Sequence, residues 1–345
     1  MKNSVAVLLL FGLSVLPGLS AATELQCADC GKTLRGRYLK TSDGRAYCNK
    51  KCAEARFPRC ADCGKRCTGS FIKADNRVFC SKECAEHALS PRCNVCQKPF
   101  RQGRQLPTPY GTLYYCEACA KLPTCFVCQT PGKDLKLLSD GRRLCRRCTA
   151  DAVSDHAAAQ GIFDSVRATL VRKLNFRSGH ALPLSLTHYS NPHQSELGLI
   201  REFGRYIYRG REIYTKPGRL SLRKDRKTTV RREVLECRIE VLNHLPRIKM
   251  AEVMAHELAH DYMQRRWPYI KDDKTKEGFA EAVAAEYNRL TGHDAWNYRM
   301  EQNPDPVYGE GYRMVRAWQK QGGWPEVARR LEAVNQANLP AELRE

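Results

Sequence analysis

The cysteines of this chain occur in pairs, and the spacing of the pairs repeats four times. Of 18 cysteines, 17 lie between Cys27 and Cys148, and 16 of them form a CxxC followed, after 16 to 19 residues, by a CxxC or CxxxC. Zn²⁺ prefers four thiolates at the corners of a tetrahedron, and one CxxC turn can place two sulfurs on one ion. The spacing therefore predicts four structural zinc sites. Their ligands are Cys27, Cys30, Cys48 and Cys52; Cys60, Cys63, Cys80 and Cys84; Cys93, Cys96, Cys116 and Cys119; and Cys125, Cys128, Cys145 and Cys148.

The repeat also divides the chain and places one further cysteine. We expect zinc modules over residues 23–55, 56–90, 91–121 and 122–150, with a second kind of domain over 151–345. Sliding the first module by 33 and 66 residues aligns Leu34 with Cys67 and Phe100, so Cys67 takes an apolar position and is not a ligand. The remaining cysteine, Cys237, has no assignment from spacing.

Charge follows the same division. The chain has a formal net charge of +21, from 58 basic and 37 acidic residues, and most of the excess lies before residue 151. Four sites of four thiolates each would lower the net charge to about +13. The protein stays basic, which allows contact with an acidic surface polymer.

The N-terminus has the pattern of a secretory signal peptide. Lys2 precedes an apolar run from Val5 to Leu16, and Ser20-Ala21-Ala22 supplies small residues for cleavage after residue 22. We therefore expect a secreted or periplasmic protein with no transmembrane segment in the mature chain, for which nucleic acid is an unlikely partner. Because oxidising compartments favour disulfides, cross-pair disulfides remain an alternative to zinc in the modules.

A second metal pattern lies in the C-terminal half. Residues 250–263 form an amphipathic pattern that ends near Trp267, and His256 and His260 are four residues apart on it. Both imidazoles can therefore bind one Zn²⁺, and Glu257 lies beside the open position of the metal. This arrangement predicts metal-assisted hydrolysis with Glu257 as the general base.

A second amphipathic segment supplies two carboxylates. It contains Glu277 and Glu281, one turn apart, and extends to Leu290 before Thr291-Gly292. Glu277 can be the third zinc ligand. Glu281 faces the same site and can accept the free ring N–H of a histidine ligand, which fixes the tautomer of that ring.

These residues resemble known families. The modules are similar to LIM-type half-domains, and the HExxH with the later Glu-Gly-Phe-Ala resembles the gluzincin peptidases, whose third ligand corresponds to Glu277. Leu245-Pro-Arg before the helix and Pro306-Val-Tyr-Gly-Glu-Gly-Tyr-Arg after it look like the DA-one family of LIM peptidases. The resemblance implies an α+β protein. We interpret the chain as an exported, bacterial relative of that family. In it, tandem zinc-ribbon or LIM-like modules precede a mainly helical gluzincin-type domain with a small sheet.

Weaker signals concern the substrate. Residues 202–241 are rich in β-branched and aromatic residues, with turn signals at Arg209-Gly210 and Pro217-Gly218, which indicates a small sheet. We expect residues 237–241 to be the edge strand that aligns a substrate, and Tyr308 and Tyr312 to be candidate oxyanion donors. His180, His188, His193, His244 and His293 have no ligand spacing and are interpreted as surface or packing residues.

The favoured hypothesis is an exported zinc endopeptidase with one catalytic and about four structural zinc ions. The modules would recognise a protein or peptide substrate or a partner. Two alternatives stay open. One is a non-catalytic zinc-ribbon adaptor that binds a polyanion or a protein, and the other is a metal-dependent hydrolase of non-peptide bonds.

Overall fold

The computed structural model describes residues 25–108, 111–177, 181–188, 203–215 and 229–344, which form two compact units. The first unit comprises the described residues up to Arg104 together with Tyr114–Ala120. The second comprises the described residues of Gln105–Leu113 and those from Lys121 onward. The predicted signal peptide, residues 1–22, lies outside the described residues. Within the described ranges, no helix is both long enough and apolar enough to cross a bilayer.

The first three cysteine modules share one local fold, a two-stranded hairpin followed by a short helix. Their elements are β1 (Leu39–Lys40), β2 (Ala46–Tyr47), α1 (Lys50–Ala55), β3 (Ile72–Ala74), β4 (Arg77–Phe79), α2 (Lys82–Leu89), β5 (Gly103–Thr108), β6 (Gly111–Cys116) and α3 (Glu117–Ala120). The residue after each CxxC has a left-handed φ, between 57° and 73°, in all four modules. It is glycine in the first two modules, where no Cβ opposes that conformation.

The first two modules have small hydrophobic clusters of their own. One contains Cys27, Tyr47 and Ala53, and the other contains Cys67 and Phe79 with two more buried residues. Cys67 is 2% exposed and lies among apolar side chains, which confirms its interpretation as a small buried hydrophobe. Little apolar area is available in such clusters, so a bound metal is the expected main source of their stability.

The second unit begins with the fourth module and continues into a helical region around a three-stranded sheet. Its elements are β7 (Lys136–Leu137), β8 (Arg143–Leu144), α4 (Arg146–Ala150), β9 (Ala152–Val153), α5 (His156–Leu174), β10 (Leu184–Thr187), β11 (Gly204–Thr215), β12 (Thr229–Leu242), β13 (Leu245–Pro246), α6 (Arg247–Arg266), α7 (Asp273–Leu290), α8 (Tyr298–Glu301) and α9 (Tyr308–Ala337). Single-turn 3-10 helices occupy Asp294–Asn297 and Ala341–Leu343. The α+β class expected from the sequence is confirmed at this level.

The fourth module is part of the core of the second unit. Cys125, Cys128 and Cys148 belong to the same buried cluster as Met254 of α6 and Phe279 of α7. The second compact unit therefore includes this module and extends across the boundary predicted at residue 150. Cysteine spacing revealed the repeat, but it contained no information on which module buries its apolar side against the helices.

The order of strands in the sheet corrects a second prediction. β12 lies between β10, which is parallel to it, and β11, which is antiparallel. Residues 237–241 are therefore in the central strand, and among the described residues β11 pairs on one side alone. The turn expected at Arg209-Gly210 is instead a β-bulge inside β11, while Pro217-Gly218 lies outside the described residues.

Two glycines allow α7 and α9 to cross at very short distance. A Cβ on Gly278 would lie 2.3 Å from the carbonyl carbon of Gly311, and a Cβ on Gly311 would lie 2.4 Å from the carbonyl oxygen of Lys274. Both glycines belong to the segments that carried the family resemblance. Their role here is steric, because larger residues would separate the two helices.

The close crossing of α7 and α9 predicts the effect of adding a methyl group at Gly278. Gly278→Ala should lower the free energy of unfolding by about 1–3 kcal/mol, the usual cost of overpacking. Gly161→Ala is the matched control, since Gly161 lies in α5 with nothing within 4 Å of where a Cβ would lie, and alanine there should stabilise by up to about 1 kcal/mol. Thermal denaturation of both variants measures the difference, and equal shifts would contradict the close crossing.

Candidate metal centre and active site

α6 carries the first two candidate ligands on its less buried side. It runs over Arg247–Arg266, and its buried positions include Met250, Met254 and Leu258. His256 and His260 lie one turn apart, with their ring nitrogens Nε2 3.1 Å from each other. The helix ends where predicted, because Trp267 leaves the helical conformation and Pro268 follows.

α7 brings a carboxylate to the two imidazoles. Glu277 Oε2 lies 3.1 Å from Nε2 of His256 and 3.4 Å from Nε2 of His260. A zinc ion about 2.05 Å from each ligand requires tetrahedral edges of about 3.3 Å. The three ligand atoms therefore have the spacing that one zinc ion needs, and the sequence-predicted triad is brought together.

Glu281 lies on the other side of His256. Its Oε1 is 3.5 Å from Nδ1 of that ring, the nitrogen that does not face Glu277. Glu281 is thus placed to accept the Nδ1–H and to hold the tautomer in which Nε2 is a ligand. Burial raises the pKa of Glu281, against the opposing effect of the His256 charge.

The electrostatics of the triad favour a bound cation. Burial lowers the pKa of His256, but Glu277, Glu257 and Glu281 overcome this effect and raise the pKa to about 9. Burial raises the pKa of Glu277, yet its contacts with the two imidazoles take it well below its usual range. The carboxylates create a negative potential at the imidazole nitrogens, which a dication would neutralise.

Glu257 is buried beside the triad and is held by the sheet. Burial raises its pKa, and the imidazole charges and the backbone N–H of Tyr206 in β11 lower it. The strand comes this close because residue 204 is glycine: a Cβ there would lie 2.5 Å from Cγ1 of Val253 and 2.8 Å from Oε1 of Glu257. Sequence reasoning missed Gly204 and Tyr206, although a glycine within a strand pattern signals a close backbone approach.

Tyr206 also connects the strand to α6 through its side chain. Its hydroxyl donates to Oδ1 of Asp261 over 3.3 Å, and the thiol of Cys237 lies 3.6 Å from the same hydroxyl. Asp261 is fully buried and follows His260 directly. Cys237, unassigned from sequence, therefore belongs to a buried polar contact between the sheet and α6.

One member of the triad, His256, lines a cleft of about 380 Å³ together with Glu257, Glu281 and Tyr308. Tyr308 is the first residue of α9, whose first turn is fixed by Asp305, the acceptor for the backbone N–H groups of Val307 and Tyr308. Tyr312 is 3% exposed and belongs to the core between the helices. Of the two tyrosines, only Tyr308 is among the residues that line the cleft.

The sixteen paired cysteines form four clusters. In each cluster the four sulfurs lie within 4.8 Å of one another, and the contacts between sulfurs of different pairs range from 3.5 to 3.9 Å. A zinc–thiolate tetrahedron with bonds of about 2.3 Å has edges of about 3.8 Å, whereas a disulfide requires about 2.05 Å. Several structural zinc ions therefore fit the chain.

Among the described residues, His188 and His244 are separate from the triad. His188 Nδ1 lies 3.2 Å from the side-chain amide of Asn243, and the neighbouring His244 has a left-handed φ of 56° in the turn after β12. Burial lowers the pKa of His244. His180 and His193 lie outside the described residues.

Comparison with known proteins gives one distant relative. No established family profile matches the chain. The chain is 22% identical to Protein DA1 of Arabidopsis thaliana over 284 residues, an alignment that covers 66% of this chain and 53% of that protein. The chain thus spans about half the length of the curated relative it matches. This similarity is weak homology, and together with the four cysteine clusters it supports a zinc-binding, LIM-like protein.

The position of Glu281 predicts its effect on metal affinity. Glu281→Gln should weaken Zn²⁺ binding at the triad by about 10- to 100-fold, because the carboxylate that orients His256 is lost. Asp273→Asn is the control, since the Asp273 side chain lies on the same helix and is 72% exposed. Competition with a chromophoric chelator measures both affinities, and equal values would contradict the orienting role.

Proposed function

We propose that this protein is a zinc-dependent peptidase whose catalytic metal is held by His256, His260 and Glu277. One observation carries the proposal: three ligand atoms lie 3.1–3.4 Å apart beside the buried carboxylate of Glu257, and both His256 and Glu257 line a cleft. A zinc ion there would supply Lewis-acid activation of a water molecule and of the scissile carbonyl. The DA-one resemblance of the motifs supports peptide bonds as the substrate, and the predicted signal peptide supports export.

Other residues of the chain supply the general base and the oxyanion donor. Glu257 is the general base, since it is a buried carboxylate that lines the cleft directly beside the ligand His256, where it can take a proton from the attacking water. The same carboxyl then gives the proton to the leaving amine. Tyr308 is the candidate donor to the developing oxyanion, because it lines the cleft and Tyr312 does not.

The strand β11 is the element best placed to align a substrate. Gly204 lines the cleft, and its strand contacts Glu257 through the Tyr206 N–H. An extended peptide could add to this strand by backbone hydrogen bonds. This assignment replaces residues 237–241, which lie in the central strand.

The first three modules have a recognition role in this proposal. Their position in a basic stretch of the chain suits a protein partner or an acidic surface polymer. A pure adaptor without catalysis is the competing function, and a hydrolase of non-peptide bonds is a third. The adaptor does not account for Glu257, a buried carboxyl beside a complete set of three ligands.

Removal of the general base tests the proposal. Glu257→Gln should reduce cleavage of a denatured protein substrate by at least about 100-fold, because the amide accepts no proton, while zinc content and thermal midpoint stay the same. Glu310→Gln is the control, since Glu310 is an exposed carboxylate that pairs with Lys274. Equal cleavage by wild type and Glu257→Gln would refute the mechanism, and cleavage of an ester but of no peptide would favour the third function.

The close approach of β11 to α6 predicts the effect of a second substitution. Gly204→Ala should lower kcat/KM by about 10- to 100-fold, because the added methyl group displaces Glu257 or the strand, and misplacement by about 1 Å has an effect of that size. Gly161→Ala, far from any neighbouring atom, should leave kcat/KM unchanged. Steady-state kinetics of the two variants measure the difference, and wild-type kinetics for Gly204→Ala would refute the tight contact.

A further inference from the structure

The fourth cysteine cluster differs from the other three in its surroundings. Cys125 and Cys148 are fully buried, whereas Cys30 of the first module and Cys63 of the second are exposed. The fourth module shares one hydrophobic core with α5, α6 and α7, while the first two modules have separate small clusters. Because the fourth cluster lies inside this core, a change in its geometry would shift the helices that pack around it.

The segment after this cluster caps the helix that carries the HExxH. α6 begins after Pro246, which provides no side-chain cap. The N–H of Arg247 instead donates to the backbone carbonyl of Asp151 over 3.0 Å and to its carboxylate over 3.2 Å. Asp151 is the C-cap of α4 and lies three residues after the ligand Cys148, so the negative charge favoured at the start of α6 comes from the residue that directly follows the fourth module.

Backbone pairing strengthens the same junction. β9 pairs with β13, with Val153 opposite Leu245 and Ala152 opposite Pro246. The N–H of His244 also donates to the carbonyl oxygen of Val153 over 2.7 Å. The entry to α6 is therefore held by two strands of two residues each, one of which follows α4 directly.

Two side chains of the module contact the sheet next to the cleft. Arg142 is 3% exposed and donates to the carbonyl oxygen and the side-chain oxygen of Asn243, at 2.9 and 2.6 Å. The ring of Phe126 packs edge-on against Phe203, which lines the cleft, with centroids 5.4 Å apart. The backbone N–H of Phe126 donates to the carbonyl oxygen of Arg143 in β8. The positions of both side chains therefore depend on the fold of the module.

We infer that the zinc ion of the fourth cluster supports the active-site helix, so that occupancy of the His256, His260 and Glu277 site depends on it. Metal binding is coupled to the folding of such a site, because four thiolates gathered inside a core would be buried charges with no partner if the ion were lost. Loss of zinc from Cys125, Cys128, Cys145 and Cys148 would release Asp151 and β9 from the start of α6. The fourth module is thus part of the catalytic unit rather than of the recognition part. The inference rests on the proposed function for its metal site.

Counting zinc in the full-length chain tests the dependence. Cys128→Ser and Cys30→Ser remove the equivalent ligand from the fourth and the first cluster. Wild type should hold about five zinc ions, Cys30→Ser about four, and Cys128→Ser about three, because the second loss includes the triad site. Hydrogen exchange should quicken at the start of α6 in Cys128→Ser and stay unchanged in Cys30→Ser.

The outcomes separate the two proposals. Four zinc ions in wild type, with the clusters filled, would refute the metal site of the proposed function. Five zinc ions in wild type and four in Cys128→Ser, with unchanged hydrogen exchange in α6, would refute the dependence of the triad site on the fourth cluster. The proposed function would not be affected by that result. The dependence is supported if Cys128→Ser holds three zinc ions while slow hydrogen exchange in α5 shows that this helix is still folded.

A variant that keeps all sixteen thiolates covers the case in which Cys128→Ser fails to fold. Asp151→Ala should weaken zinc binding at the triad by about 5-fold and lower kcat more than KM, because the carboxylate that caps the start of α6 is lost. Asp151→Asn, which keeps a side-chain acceptor, should restore part of the affinity. Asp155→Ala is the control, since Asp155 caps α5 through the N–H of Ala158. Equal affinities for Asp151→Ala and Asp155→Ala would overturn the inference.

Discussion

The structure depends most on the enclosure of α6 by three different partners. α7 brings the third candidate ligand, β11 approaches closely enough to hold Glu257, and the segment after the fourth cysteine cluster caps the first residue of the helix. Two of these contacts require a small or polar group at one position, Gly204 in β11 and Asp151 after the fourth cluster. Because interiors are close-packed, a change at one of these positions is transmitted to the metal site through α6.

The site places three carboxylates around two imidazoles in a largely buried region. Glu277 and Glu281 lie on opposite sides of the His256 ring, and Glu257 is buried next to it. Burying carboxylates without partners is costly, so such a cluster is expected where a cation or protons compensate it.

Much of the site was predictable from local spacing. His256 and His260 had to share a face because they are four residues apart on a helix, and Glu277 and Glu281 had the same relation on the next helix. Gly204 and Tyr206 were not predictable in this way, since their contacts with α6 join strands and helices far apart in sequence. The edge of the sheet was predicted wrongly for the same reason: strand order depends on β10, which pairs with β12 across a long separation.

The sequence by itself determined four cysteine clusters, a buried role for Cys67, and the residues of the triad, because each of these follows from short-range periodicity. The tertiary structure alone decided that the fourth cluster packs with the helices and that Tyr308 rather than Tyr312 reaches the cleft. It also decided that β11, beside Glu257, lies at the edge of the sheet formed by the described residues. These features depend on which surfaces bury each other, and burial is a property of the folded chain as a whole.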